Sequence, residues 1–140
     1  MRTAPAGPVA AVGLGVLILT GCTSSSPSES GPALPAETDF AEGTCRLAAP
    51  DVIVVGSVLP RLGEGGAIPA DVQSVLRDAL DRLDVVAETA EPAVKPVLDD
   101  FVIKIGSVLI LAVGSNFGAV QGEQLATSYR SVVATCRAQP

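Results

Sequence analysis

The side chains that could do chemistry in this chain are mainly carboxylates. Asp99 and Asp100 form its only adjacent acidic pair, and paired carboxylates can bind a cation or share a proton. At the first turn of a helix, however, such a pair is favoured by the helix dipole, and the apolar run that follows predicts a helix there. We therefore expect Asp99 and Asp100 to support the start of a helix, and we predict no metal site.

Histidine is absent from the sequence. This excludes Ser–His and Cys–His nucleophile pairs, an imidazole general base and the usual histidine-rich zinc sites. An enzyme built on this chain would have to work with carboxylates, lysine or tyrosine. The prediction is a protein without enzymatic activity, with no catalytic residues and no cofactor.

Lys104 lies in an otherwise apolar run. Burial could make its amine a nucleophile, but lysines in this setting usually pack the aliphatic stem against the protein and keep the ammonium group in water. Three aspartates have the spacing of a solvated helix face and lack an EF-hand pattern: Asp78, Asp81 and Asp84. We expect none of these groups to form an active site.

The first 21 residues read as an export signal. Arg2 supplies a positive charge, and the apolar run 9–19 that follows is eleven residues long. A membrane-spanning helix needs about 20 residues, whereas the core of a signal peptide needs only about 7–15. The alternatives are an ordinary secretory signal or a short uncleaved helix.

The apolar run ends in Leu19-Thr20-Gly21-Cys22, which resembles the lipobox of bacterial lipoproteins: an aliphatic residue, two small residues and an invariant cysteine. The resemblance implies cleavage before Cys22, a diacylglyceryl thioether on Cys22, and a protein anchored to the outer face of the cytoplasmic membrane. Two acyl chains suffice for stable anchoring, whereas one gives only marginal binding. The expected location is therefore the cell envelope, with the membrane as a partner through lipid on Cys22.

A Ser- and Pro-rich stretch follows Cys22. It has too few apolar groups to offset the entropy of ordering it. Together with the lipid on Cys22 that the lipobox resemblance implies, this predicts a lipidated cysteine and a flexible tether over residues 22–43, and a folded domain over residues 44–140.

If Cys22 carries lipid, Cys45 and Cys136 remain as a pair in an oxidising compartment. We predict that they form a disulfide. The alternative is a pair of buried free thiols.

Four segments have apolar residues at helical spacing. They cover approximately residues 49–62, 69–91, 96–117 and 120–137. Pro50 would stand in the first turn of the first helix, where proline is tolerated. Because Val and Ile are dense at 52–59 and 101–113, buried strands are an alternative for those two stretches.

Residues 51–59 and 101–109 are identical at six of nine positions. This suggests a duplicated helical hairpin, with a chance match in a chain rich in Ala and Val as the alternative. A repeat would make Gly56 and Gly106 the points where two helices approach something closely.

The predicted fold is all-α: a small up-down four-helix bundle made of two helical hairpins and closed by one disulfide. In this topology the start of the first helix and the end of the last lie at the same end of the bundle. Cys45 and Cys136 occupy those two places, so the cysteine positions and the helix pattern agree.

Composition narrows the function only to broad classes. The net charge of −6 disfavours nucleic acid and anionic headgroups as partners. The leading hypothesis is a membrane-anchored lipoprotein whose helical domain has a non-catalytic interaction or structural role, with an envelope protein as partner. The alternative is a carrier of a small apolar ligand or lipid, which a hollow core would favour and a filled core would count against.

Overall fold

The computed structural model describes residues 33–63 and 65–138. Four α-helices make up most of this part of the chain: α1 (Thr44–Val58), α2 (Ala70–Glu88), α3 (Lys95–Val113) and α4 (Ala119–Cys136). Each packs against the next, and α1 also packs against α4, so the helices close into an antiparallel bundle. The all-α prediction and the four helices are confirmed.

The strand alternative for residues 52–59 and 101–113 is wrong, since both stretches lie mainly within helices. In α1 the residues without solvent exposure include Val52 and Val55, and in α3 they include Phe101 and Ile105. This spacing buries one side of a helix. Burial against the neighbouring helices outweighs the weak β-preference of Val and Ile.

No helix in the described part of the chain combines the length and the hydropathy needed to cross a membrane.

Helix α1 begins earlier than predicted. It starts at Thr44 rather than near residue 49, so Pro50 stands inside the helix instead of in its first turn. Pro50 is exposed, whereas Cys45, Ala48 and Ala49 are buried in the turn before it. Packing of that turn outweighs the backbone hydrogen bond that a proline inside a helix removes.

The folded part of the chain also begins before residue 44. Residues 37–43 were expected to belong to the tether, but the Phe40 side chain is only 1% exposed. The backbone of Phe40 forms an isolated antiparallel β-bridge with that of Arg137. The Phe40 carbonyl also accepts a hydrogen bond of 2.8 Å from the Arg46 side chain. The amide of Ala41 donates to the Cys136 carbonyl at 2.8 Å. A single aromatic residue and backbone pairing thus join this segment to the bundle, although its composition is that of a linker.

Cys45 and Cys136 are joined by a disulfide, as predicted. Their Cα atoms are 5.2 Å apart, and 91 residues separate them in the sequence. Both cysteines are buried. The bond ties the first turn of α1 to the last turn of α4.

Aliphatic side chains and three phenylalanine rings fill the interior of the bundle. Leu76, Leu83 and Leu98 have no exposed surface, and neither do Phe101 and Leu125. No side-chain polar atom buried in the described residues lacks a hydrogen-bond partner. The core is therefore filled and its polar groups are satisfied, which together favour one well-defined packing.

Asp51 and Arg82 form an ion pair between α1 and α2 that the sequence analysis did not anticipate. The Asp51 side chain is 8% exposed and accepts a hydrogen bond of 2.7 Å from the Arg82 guanidinium group. This hydrogen bond, and then the charge of Asp51, raise the pKa of Arg82 above its usual value. The pair satisfies a carboxylate that would otherwise be buried without a partner.

The two glycines of the repeat have different surroundings. A Cβ atom on Gly56 would lie 2.6 Å from the Tyr129 hydroxyl oxygen, whereas one on Gly106 would meet nothing within 4 Å. The expected close approach is therefore confirmed for Gly56 and wrong for Gly106. Tyr129 of α4 lies against α1, and its burial raises the pKa of the phenol above the usual value.

We expect opposite effects from the same substitution at these two positions. Gly56→Ala should lower the free energy of unfolding by about 1–2 kcal/mol, since the methyl group has to displace the Tyr129 ring. Gly106→Ala should raise it by about 0.5–1 kcal/mol, because alanine favours a helix and finds open space there. Urea unfolding of both variants measures this difference, and effects of the same sign would contradict it.

Candidate functional site

The predicted lipidation site, Cys22, lies outside the described residues. The candidate groups that the structure does place are the acidic pair, Lys104, the aspartates of α2 and the outer surface of α3. What each of these groups could do depends on the neighbouring side chains that it contacts.

Asp99 and Asp100 do not act together. They stand in the second turn of α3, because that helix begins at Lys95, so the prediction that they occupy its first turn is wrong. Asp99 pairs with Lys95 at 3.0 Å, and Asp100 accepts a hydrogen bond from the hydroxyl of Ser128 on α4. The two carboxylates therefore serve different contacts, one within α3 and one between α3 and α4.

A shallow open groove of about 370 Å³ runs between α3 and α4. We call it the α3–α4 groove. Most of the residues that line it have polar or charged side chains, although the surface they turn towards the groove is mainly apolar: Asp100, Lys104, Val120, Glu123, Gln124, Thr127, Ser128 and Ser131.

The nucleophile best placed for chemistry in this groove is already engaged. Ser128 is 4% exposed, and its hydroxyl donates to Asp100. Glu123 pairs with Arg130 at 2.8 Å. Within the described residues, no group of three His, Cys, Asp or Glu side chains is arranged to hold a metal ion. The groove thus offers an open surface for contact, in which the Ser128 hydroxyl is held by Asp100.

Lys104 is partly exposed at the edge of this groove, as the sequence predicted. Among the described residues it makes no salt bridge; the ion pairs there involve other cations. Lys104 therefore presents a positive charge on the α3 surface.

The aspartates of α2 lie on its solvated side. All three are exposed, as predicted: Asp78, Asp81 and Asp84. The charges of Asp78 and Asp81 add to the effect of Asp51 on the pKa of Arg82.

The outer surface of α3 carries large apolar side chains in water. Ile103 is 63% exposed, Ile110 is 74% exposed and Val113 is 78% exposed. We call these three residues the apolar face of α3. The apolar run 101–113 would suit a helix that is buried on all sides, but this side of α3 lies in water. Isoleucine and valine look the same in sequence whether they face a core or a surface.

No protein-family model, curated protein or solved structure matches this chain. Residue roles therefore cannot be transferred from a relative and have to be argued from the chemistry of the chain itself.

Proposed function

We propose that this protein is a lipoprotein of the bacterial cell envelope, anchored through Cys22, whose helical domain has a non-catalytic interaction or structural role. The observation that carries the proposal is the sequence Leu19-Thr20-Gly21-Cys22 after an apolar run, which resembles a lipobox. A diacylglyceryl group on Cys22 would hold the protein at the outer face of the cytoplasmic membrane. The domain would then work at that surface.

The disulfide supports an exported location. Disulfides persist in oxidising compartments and are rare in the bacterial cytosol. Cys45 and Cys136 are bonded to each other, which leaves Cys22 as the third of three cysteines. Lipidation would account for Cys22 as a cysteine without a disulfide partner.

The state of the candidate polar groups supports a non-catalytic role. The two adjacent carboxylates are engaged in separate contacts, with Lys95 and with Ser128. A general acid or base needs a group that is free to meet a substrate. The described surface is better suited to binding another molecule than to transforming one.

The filled core counts against the alternative of a carrier for an apolar ligand. A carrier of this size would need a cavity lined by aliphatic side chains. The interior leucines have no exposed surface, and the α3–α4 groove is open to solvent instead of enclosed.

Metabolic labelling with a fatty acid tests the anchor. The wild-type protein should become labelled and should sediment with membranes, whereas a Cys22→Ala variant should lose the label and the membrane association. Thr20→Ala is the matched control, because it keeps a small residue at its position and should still be labelled. Label retained by Cys22→Ala would refute the anchor.

A further inference from the structure

The disulfide is buried although it joins the ends of two helices. Cys45 lies in the first turn of α1, and Cys136 is the last residue of α4. Cys45 is nevertheless only 3% exposed, and Cys136 is 0% exposed. Burial at this place means that neighbouring segments of the chain cover the bond.

The segment that precedes α1 lies over this end of the bundle. We call residues 36–43 the strap. The amide of Ala41 donates a hydrogen bond of 2.8 Å to the carbonyl of Cys136, and the amide of Ala138 donates one of 2.7 Å to the carbonyl of Asp39. The backbone of the strap is therefore bonded to one of the two cysteines and to the residues that follow it.

One side chain provides most of the apolar contact of the strap. Within residues 33–43 only Phe40 is buried. The carbonyl of Phe40 accepts a hydrogen bond of 2.8 Å from Arg46, the residue that follows Cys45. Release of this side chain and of these hydrogen bonds would free the strap and leave the four helices packed. Local opening of this kind requires less free energy than unfolding, because it exposes far less apolar surface.

The turn between α2 and α3 also contacts this end of the bundle. There the amide of Glu91 donates a hydrogen bond of 3.3 Å to the hydroxyl of Thr44. This turn is fixed by a helix on each side, since α2 ends at Glu88 and α3 begins at Lys95. The strap is joined to a helix on one side only, and none of residues 33–39 before Phe40 is buried. The strap is therefore the cover that can open.

We propose that the strap is a lid that controls thiol–disulfide exchange at the Cys45–Cys136 bond. While Phe40 is buried, the bond is protected; when the strap opens, a dithiol reductant can reach it. The lid goes beyond the proposed function and does not depend on lipid at Cys22. An anchor there would add to it, because tension along the linker would reach the strap before it reached the helices.

The exchange transfers two electrons from the reductant to the disulfide. A thiolate of the reductant attacks the sulfur of Cys136, so that a mixed disulfide forms and the bond to Cys45 breaks. Cys45 leaves as a thiolate, which the positive end of α1 favours, and then takes up a proton from water. The second thiol of the reductant loses its proton and attacks the mixed disulfide. This closes the disulfide of the reductant and releases Cys136, which is protonated in turn.

The rate of reduction tests the lid. The full chain carrying Cys22→Ser, in which only Cys45 and Cys136 can react, is incubated with excess dithiothreitol far below its melting temperature. Samples are quenched with acid and alkylated, and the mass gives the number of free thiols. Adding Phe40→Ala should accelerate reduction at least about tenfold, because the strap then spends more time open.

Leu62→Ala is the matched control for this variant. Leu62 is 1% exposed, and its carbonyl lies against Gly122 near the start of α4, at the opposite end of the bundle. Both substitutions remove a buried side chain, but only Phe40→Ala frees the strap. Reduction of the Leu62→Ala protein should stay within about threefold of the rate without either substitution.

A second pair of variants leaves the core intact. Arg46→Gln removes the guanidinium group that binds the Phe40 carbonyl and should accelerate reduction by about threefold or more. Arg61→Gln breaks an exposed ion pair with Asp71 at the opposite end and should leave the rate unchanged. Equal rates in these two proteins would contradict the lid.

The dependence of the rate on urea distinguishes opening of the strap from unfolding of the bundle. Opening exposes little surface, so the rate should rise only weakly with urea below the unfolding transition. A rate that rises as steeply as unfolding does would overturn the lid, and so would equal acceleration by Phe40→Ala and Leu62→Ala. Reduction of the chain without these substitutions as fast as an unstructured peptide disulfide would also overturn it, since the bond would then be unprotected.

Discussion

Replacing Cys45 and Cys136 together by serine should lower the free energy of unfolding by about 4–5 kcal/mol. The bond closes a loop of 91 residues, and restricting the unfolded chain over that length gives this magnitude in the chain-entropy model. A small domain has a total stability of only about 5–15 kcal/mol. The loss should therefore lower the melting temperature by more than about 10 °C.

Circular dichroism during heating measures this effect. A reducing agent added to the wild-type protein should reproduce the melting temperature of the double variant. Cys22→Ser is the control, since it removes the third cysteine and should leave the melting temperature as in the wild type. An unchanged melting temperature in the Cys45→Ser/Cys136→Ser protein would show that the bond does not stabilise the domain.

Phe40→Ala should lower the free energy of unfolding by about 3–5 kcal/mol, the usual cost of removing a buried phenylalanine side chain. Phe40 is 1% exposed and lies in a segment that the sequence assigned to the tether. Its removal would leave a cavity where this segment meets α1 and α4. Chemical denaturation of the purified protein measures the change.

Leu34→Ala is the matched control for this experiment. Leu34 is 45% exposed and precedes Phe40 by six residues, so its truncation should change the stability by less than about 0.5 kcal/mol. If Phe40→Ala had as small an effect as Leu34→Ala, the domain would begin near residue 44, as the sequence analysis first placed it.

The position of Phe40 bears on the proposed function. Since residues 37–43 belong to the folded unit, a lipid on Cys22 would be connected to the bundle by a shorter linker than residues 22–43 would provide. The domain would stay closer to the membrane.

The sequence by itself determined the features that depend on local pattern or on pairing. The bounds of helix α2 were predicted to within a few residues at each end. Its apolar residues recur at helical spacing along one side, and charged residues occupy the opposite side. Cys45 and Cys136 could be paired because setting Cys22 aside left one combination. The lipobox resemblance is likewise a short contiguous pattern, and Cys22 remains a prediction.

Tertiary structure decided everything that depends on which helix face meets which neighbour. Asp51 has its partner 31 residues away, at Arg82. Gly56 and Gly106 share one sequence context, but only Gly56 lies against Tyr129. Asp99 and Asp100 are adjacent, but Asp99 is bound by Lys95 of its own helix and Asp100 by Ser128 of another helix. Periodicity shows that a helix has an apolar side, but the burial of that side is set by contacts between residues far apart in the chain. For the same reason, the exposure of Ile103 and Ile110 on α3 could only be seen once the helices were packed.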